Sequence, residues 1–149
     1  MSEVLRRNLA ALSGSDPALA AQLERTPASE AVRFLPVGAT AVPALLRDGR
    51  PRPCHSTVDP VREATRLAAL QPAADYTVVL GLGGGFHLAP LLQEPSVSRL
   101  LVIERDAGLA RAVLERLQLW DVLADSRLKL LPGLEPRVGK QAVLDDYLP

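Results

Sequence analysis

The feature that most constrains the fold of this chain is an apolar run that ends in a glycine-rich loop. The segment TVVLGLGGGFHL, residues 77–88, places apolar residues before four closely spaced glycines and a helix-like stretch. A near-continuous apolar run is typical of a parallel strand that is buried on both faces, and glycines at its end allow a tight turn into a helix. The segment therefore predicts the strand–loop–helix unit that opens a Rossmann-like domain.

Two further apolar runs continue this pattern towards the C-terminus. RLLVIE at 99–104 and RLKLL at 127–131 are separated by the helix-like segment 107–117 and by a shorter helical turn at 119–125. Strands that alternate with helices of about ten residues predict right-handed crossovers and a parallel sheet. We therefore expect an α/β fold, with a partial Rossmann-like sheet of three recognisable strands and a final helix over 136–148.

The first 72 residues have a different sequence pattern. Two short amphipathic helices, the second opened by Asp16 and Pro17, precede three short strand-like pieces. Asp48-Gly49 is a favourable type I′ hairpin turn, and several prolines keep these strands short and confine most of them to sheet edges. We therefore divide the chain into a helical and β-meander unit with a linker helix, 1–72, and a Rossmann-like domain, 73–149.

The linker helix follows Asp59-Pro60, which supplies an N-cap and a proline at the first helical position. Its predicted inner face is apolar at helical spacing and consists of Val61, Ala64, Leu67 and Ala68.

The predicted parallel sheet is short of strands. Three strands are recognisable, whereas a doubly wound domain usually has five or more. Either strands of the meander complete this sheet, or the natural chain continues beyond Pro149. We favour continuation, so the Rossmann-like domain is expected to be truncated.

Composition excludes several classes of function. Lysines and arginines number 17, as do aspartates and glutamates, so there is no electrostatic reason to expect nucleic acid or an anionic membrane as a partner. Cys54 is the only cysteine, which excludes an internal disulfide and a thiolate zinc cluster. The N-terminus does not resemble a signal peptide, and no apolar run is long enough to span a bilayer. We therefore expect a cytoplasmic protein with no metal site and no membrane insertion.

The candidate ligand-binding residues lie in the glycine loop, just after it, and at the end of the next predicted strand. Glycines without a Cβ let a ligand approach the backbone near a helix N-terminus. An acid 23 residues after the first glycine is where ribose hydroxyls donate hydrogen bonds in such folds. The alternative is that the glycines only let the helix pack tightly on the sheet, in a degenerate site. The candidates are Gly81, Gly83, Gly84, Gly85, His87 and Glu104.

No cofactor or catalytic residue follows from this loop. Phe86 stands at the third glycine position of the dinucleotide fingerprint, and the G-x-G-x-G spacing from Gly81 is closer to adenosylmethionine-type folds. Those folds carry an acid two residues before the first glycine, where this chain has Val79. His87 is a candidate phosphate contact or general acid, but no second catalytic group can be paired with it. The cofactor therefore stays unknown.

Three segments in this order resemble the N-terminal region of motility accessory factor (Maf) glycosyltransferases, which are bacterial proteins. HSTVDPVREA at 55–64, LGLGGGFHL at 80–88 and VIERD at 102–106 are similar to that family's hHS-x-x-DP-x-x-EA, GLGLGYHL and VIEPD segments. Asn8-Leu9 and Asp16-Pro17 also fit, so the resemblance covers nearly the whole chain. The departures at Gly84, Phe86 and Arg105 bear on ligand specificity more than on the fold.

The Maf resemblance implies transfer of a nonulosonic (sialic-like) acid from a nucleotide-activated donor to serine or threonine of flagellin. In that family the catalytic, sialyltransferase-like domain follows the N-terminal region. The resemblance therefore implies a non-catalytic front domain, whose partners are the C-terminal catalytic domain of the same protein and, through it, flagellin.

Two other interpretations remain open. Residues 83–85, 95–97 and 101–106 are similar to the GGGDGG, HPSV and VEID segments of spermidine synthases and related methyltransferase-like enzymes. That resemblance implies binding of an adenosylmethionine-type ligand, and it does not account for the DPVREA segment. The third interpretation is a protein-interaction module with a degenerate site, in which a Gly83→Asp substitution costs little stability.

Overall fold

The computed structural model describes residues 1–147 of the chain. The N-terminal elements are α1 (Glu3–Ser13), α2 (Pro17–Arg25), β1 (Val32–Val37), β2 (Thr40–Arg47), β3 (Arg50–Pro53) and α3 (Pro60–Ala69). They are followed by β4 (Tyr76–Leu80), α4 (Leu88–Leu92), β5 (Arg99–Glu104), α5 (Ala107–Arg116), α6 (Trp120–Leu123), β6 (Leu128–Pro132) and α7 (Pro136–Tyr147). The predicted last residue of the final helix, Leu148, and the predicted domain end, Pro149, lie outside the described residues.

The predicted α/β class with three parallel strands is confirmed. The described residues form two separate sheets, an antiparallel sheet with the order β1-β2-β3 and a parallel sheet with the order β4-β5-β6. The suggestion that the meander completes the parallel sheet is therefore wrong, because its strands pair only with each other.

Local sequence signals set the predicted element boundaries. The carboxylates of Asp16, Asp59 and Asp106 each accept a hydrogen bond from a backbone N–H of the first helical turn that follows. The hairpin between β2 and β3 has positive φ at both central residues, 52° at Asp48 and 72° at Gly49, as a type I′ turn requires.

A single hydrophobic core joins the N-terminal helices to the parallel sheet. It includes Leu5 and Leu23 from α1 and α2 and Leu100, Val113 and Leu114 from β5 and α5, each at most 1% exposed. The N-terminal helices therefore pack directly on the parallel-sheet unit. The division into 1–72 and 73–149 stays a prediction.

Asn8 is the polar residue at the centre of this packing, and it is fully buried. Its Nδ2 donates to the carbonyl oxygens of Leu114 and Leu117, both at 2.7 Å, and its Oδ1 accepts from the N–H of Leu119 at 3.0 Å. These bonds satisfy the backbone at the C-terminal end of α5, where helical carbonyls have no partner within the helix.

Three predictions about burial and length are wrong. The first parallel strand, β4, is an edge strand, with Val78 37% and Leu80 79% exposed, because no strand of the described residues pairs with its other side. Val61 and Leu67 are 60% and 52% exposed, because α3 buries Pro60 and Ala64 instead. The first crossover helix, α4, has only five residues, because the residues before it form two tight turns, closed by bonds from the Gly85 N–H to Leu82 and from the Leu88 N–H to Gly85.

Candidate functional site

The glycine loop connects β4 to α4 and follows the course expected from the sequence. Gly81, Gly83 and Gly85 have positive φ values of 95°, 51° and 72°, a conformation that other residues rarely adopt. The N–H of Gly81 donates to the carbonyl of Ile103 at 2.7 Å, which ties the start of the loop to β5.

The side chain of His55 closes the loop. The N–H of Gly84 donates to Nε2 of His55 at 2.7 Å, and a Cβ at Gly83 would lie 2.5 Å from the same nitrogen. The imidazole also stands edge-on to the ring of Phe86, with ring centroids 5.1 Å apart. The ring thus lies against Gly83 and uses the Gly84 N–H that a ligand oxygen would otherwise accept.

The remaining loop glycines differ in whether a Cβ atom at their position would meet another side chain. A Cβ at Gly84 would lie 2.6 Å from the ring of Phe86, and a Cβ at Gly85 would lie 3.0 Å from Leu119, so both glycines accommodate side chains of this chain. Of the four loop glycines, only Gly81 has nothing within 4 Å of its Cβ position. Three of the four loop glycines therefore lie against side chains of this chain, namely His55, Phe86 and Leu119, and not between α4 and the parallel sheet as the alternative suggested.

Glu104 is buried at the end of β5, with 6% of its surface exposed. One carboxylate oxygen accepts the N–H of Leu82 and the other accepts the N–H of Asp106, both at 2.9 Å. Glu104 thus holds the glycine loop to the start of the second crossover. The ribose contact suggested for it stays a prediction.

The HSTVDPVREA segment forms a hydrogen-bonded unit that presents His55 to the loop. The N–H of Ser56 donates to the carboxylate of Glu63 at 2.8 Å, and the Ser56 hydroxyl accepts from the N–H groups of Val58 and Asp59, each at 3.2 Å. The same Glu63 oxygen lies 3.7 Å from Nδ1 of His55. Since Nε2 accepts from Gly84, the proton of the neutral imidazole is on Nδ1 and faces Glu63.

The structure brings four of the six candidate ligand residues to one cavity. This cavity, of about 600 Å³, lies beside β4 and is also lined by Cys54 and His55. The candidates along it are Gly81, Gly83, His87 and Glu104. Gly84 and Gly85 face a different cavity, next to Phe86 and α6. His55, which closes the loop, was not among the candidates, and the only sequence signal for it was its place in the HSTVDPVREA segment.

Burial shifts the pKa values of three side chains around this cavity, His87, His55 and Cys54. It lowers the pKa of His87 to about 4, helped by repulsion from His55 and opposed by a hydrogen bond with the Gly81 backbone. Burial likewise lowers the pKa of His55, against the attraction of Glu63, and raises the pKa of the Cys54 thiol. The two histidines are therefore neutral at pH 7, and Cys54 is a thiol, which is a poor nucleophile.

Neither a metal cluster nor a membrane span is found within residues 1–147. That part of the chain contains no group of three histidine, cysteine, aspartate or glutamate side chains placed to hold a metal ion. None of its helices has the length and apolarity needed to cross a bilayer.

The low pKa of His87 makes stability depend on pH in a defined direction. The unfolded chain binds a proton near pH 6.5 and the folded chain only near pH 4, so the free energy of unfolding falls as the pH is lowered through this window. The difference corresponds to about 3 kcal/mol. The parent chain and the His87→Leu variant are unfolded in urea at pH 7 and at pH 4. We expect the variant to lose about this much less unfolding free energy than the parent chain when the pH is lowered. An equal loss in both proteins would contradict the burial of this ring.

A comparison with solved structures finds similarity to the Maf glycosyltransferase from Magnetospirillum magneticum AMB-1, with a TM-score of 0.66 and 14% sequence identity. The chain has the fold of part of a Maf glycosyltransferase. The predicted resemblance to Maf proteins is thus confirmed at the level of the fold. The similarity covers 94% of this chain and 29% of the Maf glycosyltransferase chain. No family model matches the sequence, and no curated protein matches it significantly.

Proposed function

We propose that this chain is a non-catalytic, cytoplasmic Rossmann-like domain of a Maf-type glycosyltransferase, whose parent protein transfers a nonulosonic acid to flagellin. The fold similarity supports the Maf assignment. The HSTVDPVREA segment supports it further, because its polar groups make a connected set of bonds around the glycine loop.

The non-catalytic role rests on one observation, the His55 ring against the glycine loop. Nε2 of His55 accepts the Gly84 N–H in the position where a phosphate or carboxylate oxygen would accept it. The two oxygens of Glu104 already accept backbone N–H groups. The N–H groups of Gly81, Leu82 and Gly84 are thus bonded to the chain itself. This supports a scaffold role, with the catalytic domain of the same protein and flagellin as partners.

The test is a transfer assay with a nucleotide-activated nonulosonic acid donor and purified flagellin. We expect the parent protein to modify flagellin and the 149-residue chain to give no product above the level without protein. Product from the 149-residue chain would contradict the non-catalytic role, and an inactive parent protein would contradict the glycosyltransferase assignment.

The adenosylmethionine interpretation and the scaffold proposal predict opposite results in a binding experiment. It requires a ligand to displace His55 from Gly83 and Gly84, whereas our proposal leaves the ring in place. Isothermal titration of the chain with S-adenosylmethionine separates the two, with saturable heat expected only for the adenosylmethionine interpretation.

A further inference from the structure

We infer that the free edge of β4 takes a fourth parallel strand, contributed by polypeptide that follows residue 149, and that this strand lies between α3 and α7. The added strand shares with the proposed function only the premise that the chain is part of a longer protein, and its place in the sheet does not depend on what that protein transfers.

The backbone of β4 offers hydrogen-bonding groups along this edge. In the described part of the chain β4 pairs with β5 alone. The N–H of Gly81 points to β5, where it donates to Ile103. Because successive residues of a strand direct these groups to opposite sides, Thr77 and Val79 also face β5, and the N–H and C=O groups of Val78 and Leu80 face the free edge.

The side chains beside this edge are apolar and exposed. Val78 and Leu80 are 37% and 79% exposed on β4, and Leu67 and Leu70 are 52% and 78% exposed on α3. A flat, apolar, unpaired strand edge is a feature that soluble proteins usually protect with charges, prolines or a covering element. β4 (YTVVL) contains neither a charged residue nor a proline, and no strand of the described residues pairs with this edge, which favours an edge that is covered by another strand.

Two cavities flank the free edge of β4, one on each face of the sheet. The cavity of about 600 Å³ runs between α3 and β4 and is lined by Leu67 and Leu80. A second cavity, of about 410 Å³, lies between β4 and α7 and is lined by Leu80, Ile103 and Val143. A strand with apolar side chains on both faces would fill both cavities, as central strands of doubly wound sheets do.

The position of α7 indicates where that strand comes from. α5 packs on the face of the sheet that presents Leu100 and Val102, whereas α7 packs on the opposite face, where a Cβ on Gly139 would lie 3.3 Å from Ile103. A right-handed crossover from β6 through a helix on this opposite face leads back across β5 and β4. The next strand then lies beyond β4, which is the usual order of the Rossmann fold.

The end of α7 lies at the correct point for this crossover. The ring of Tyr147 stands edge-on to Tyr76, the first residue of β4, with centroids 5.1 Å apart, and Asp146 accepts from the Tyr76 hydroxyl at 2.8 Å. Chain that leaves α7 there enters the sheet at the start of β4, so a strand beside β4 runs parallel to it.

The test compares Leu80→Lys in the 149-residue chain and in the full reading frame. We expect an unchanged urea midpoint in the short chain, because the side chain is in solvent, and a clearly lower midpoint in the full protein, where the new strand buries the lysine. Val58→Lys is the matched control, since Val58 is 87% exposed and lies before α3, and we expect it to change neither midpoint.

Hydrogen exchange provides a second readout that needs no variant. We expect the amides of Val78 and Leu80 to exchange at least about 100-fold more slowly in the full protein than in the short chain. Equal exchange rates, a reading frame that stops at Pro149, or a Leu80→Lys effect confined to self-association of the short chain would each overturn the inference. None of these readouts uses sugar transfer, so the two proposals can fail separately.

Discussion

The Asn8→Leu variant is expected to lose about 4 kcal/mol of unfolding free energy, although leucine is apolar and close in size. Asn8 is fully buried and makes three hydrogen bonds to the backbone around the end of α5. Leucine leaves two carbonyls and one N–H buried without a partner, at about 1–3 kcal/mol each. Urea unfolding of the two proteins measures the difference.

The matched control for Asn8→Leu is Gln22→Leu, on the exposed side of α2. It makes the same kind of polar-to-leucine change on a helix surface and is expected to stay within about 0.5 kcal/mol of the parent chain. Asn8→Asp is a second probe, because it keeps the size but directs a carboxylate at two carbonyl oxygens, and it should also be strongly destabilising at pH 7. A loss below about 1 kcal/mol in Asn8→Leu would contradict the role of this side chain.

Gly83→Ala is expected to destabilise the chain by about 3 kcal/mol, for two separable reasons. Its φ of 51° is unfavourable for alanine by about 1–2 kcal/mol. Its Cβ would also lie 2.5 Å from Nε2 of His55, so the ring must move and give up the bond from Gly84. The expectation that Gly83→Asp costs little stability is therefore wrong, because the Cβ alone is not accommodated.

Two controls separate the backbone strain in Gly83→Ala from the contact with the His55 ring. Gly38 has a φ of 58° and nothing within 4 Å of its Cβ position, so Gly38→Ala carries the backbone strain alone, about 1–2 kcal/mol. In a His55→Ala background, Gly83→Ala should cost no more than Gly38→Ala. If Gly83→Ala costs the same with and without His55, the ring does not lie against the loop.

The elements of the parallel sheet could be predicted from the sequence because each depends on local patterns. Apolar runs of strand length gave β4, β5 and β6, and aspartate–proline pairs gave the starts of α2 and α3. The Asp48-Gly49 turn was equally predictable, since the two residues tolerate positive φ.

The misjudged features all depend on partners distant in sequence. The apolar run in β4 indicates a strand that can be buried on both faces, but whether it is buried depends on a neighbouring strand, so Val78 and Leu80 were misjudged. The glycine loop has the spacing of a ligand site, but His55 reaches it from 29 residues away. Neither relation has a periodic signature in the sequence.

We expect the ring of His55, and not a ligand, to occupy the glycine loop in solution. The most direct measurement follows the backbone amide resonances of Gly83 and Gly84 by NMR while S-adenosylmethionine, NAD and nucleoside monophosphates are added in turn. We expect no saturable change at either amide with any of these compounds, because the Gly84 N–H stays bonded to Nε2 of His55. A saturable shift of both amides together with a change in the His55 ring resonances would contradict it, since it would show a ligand taking the place of the ring.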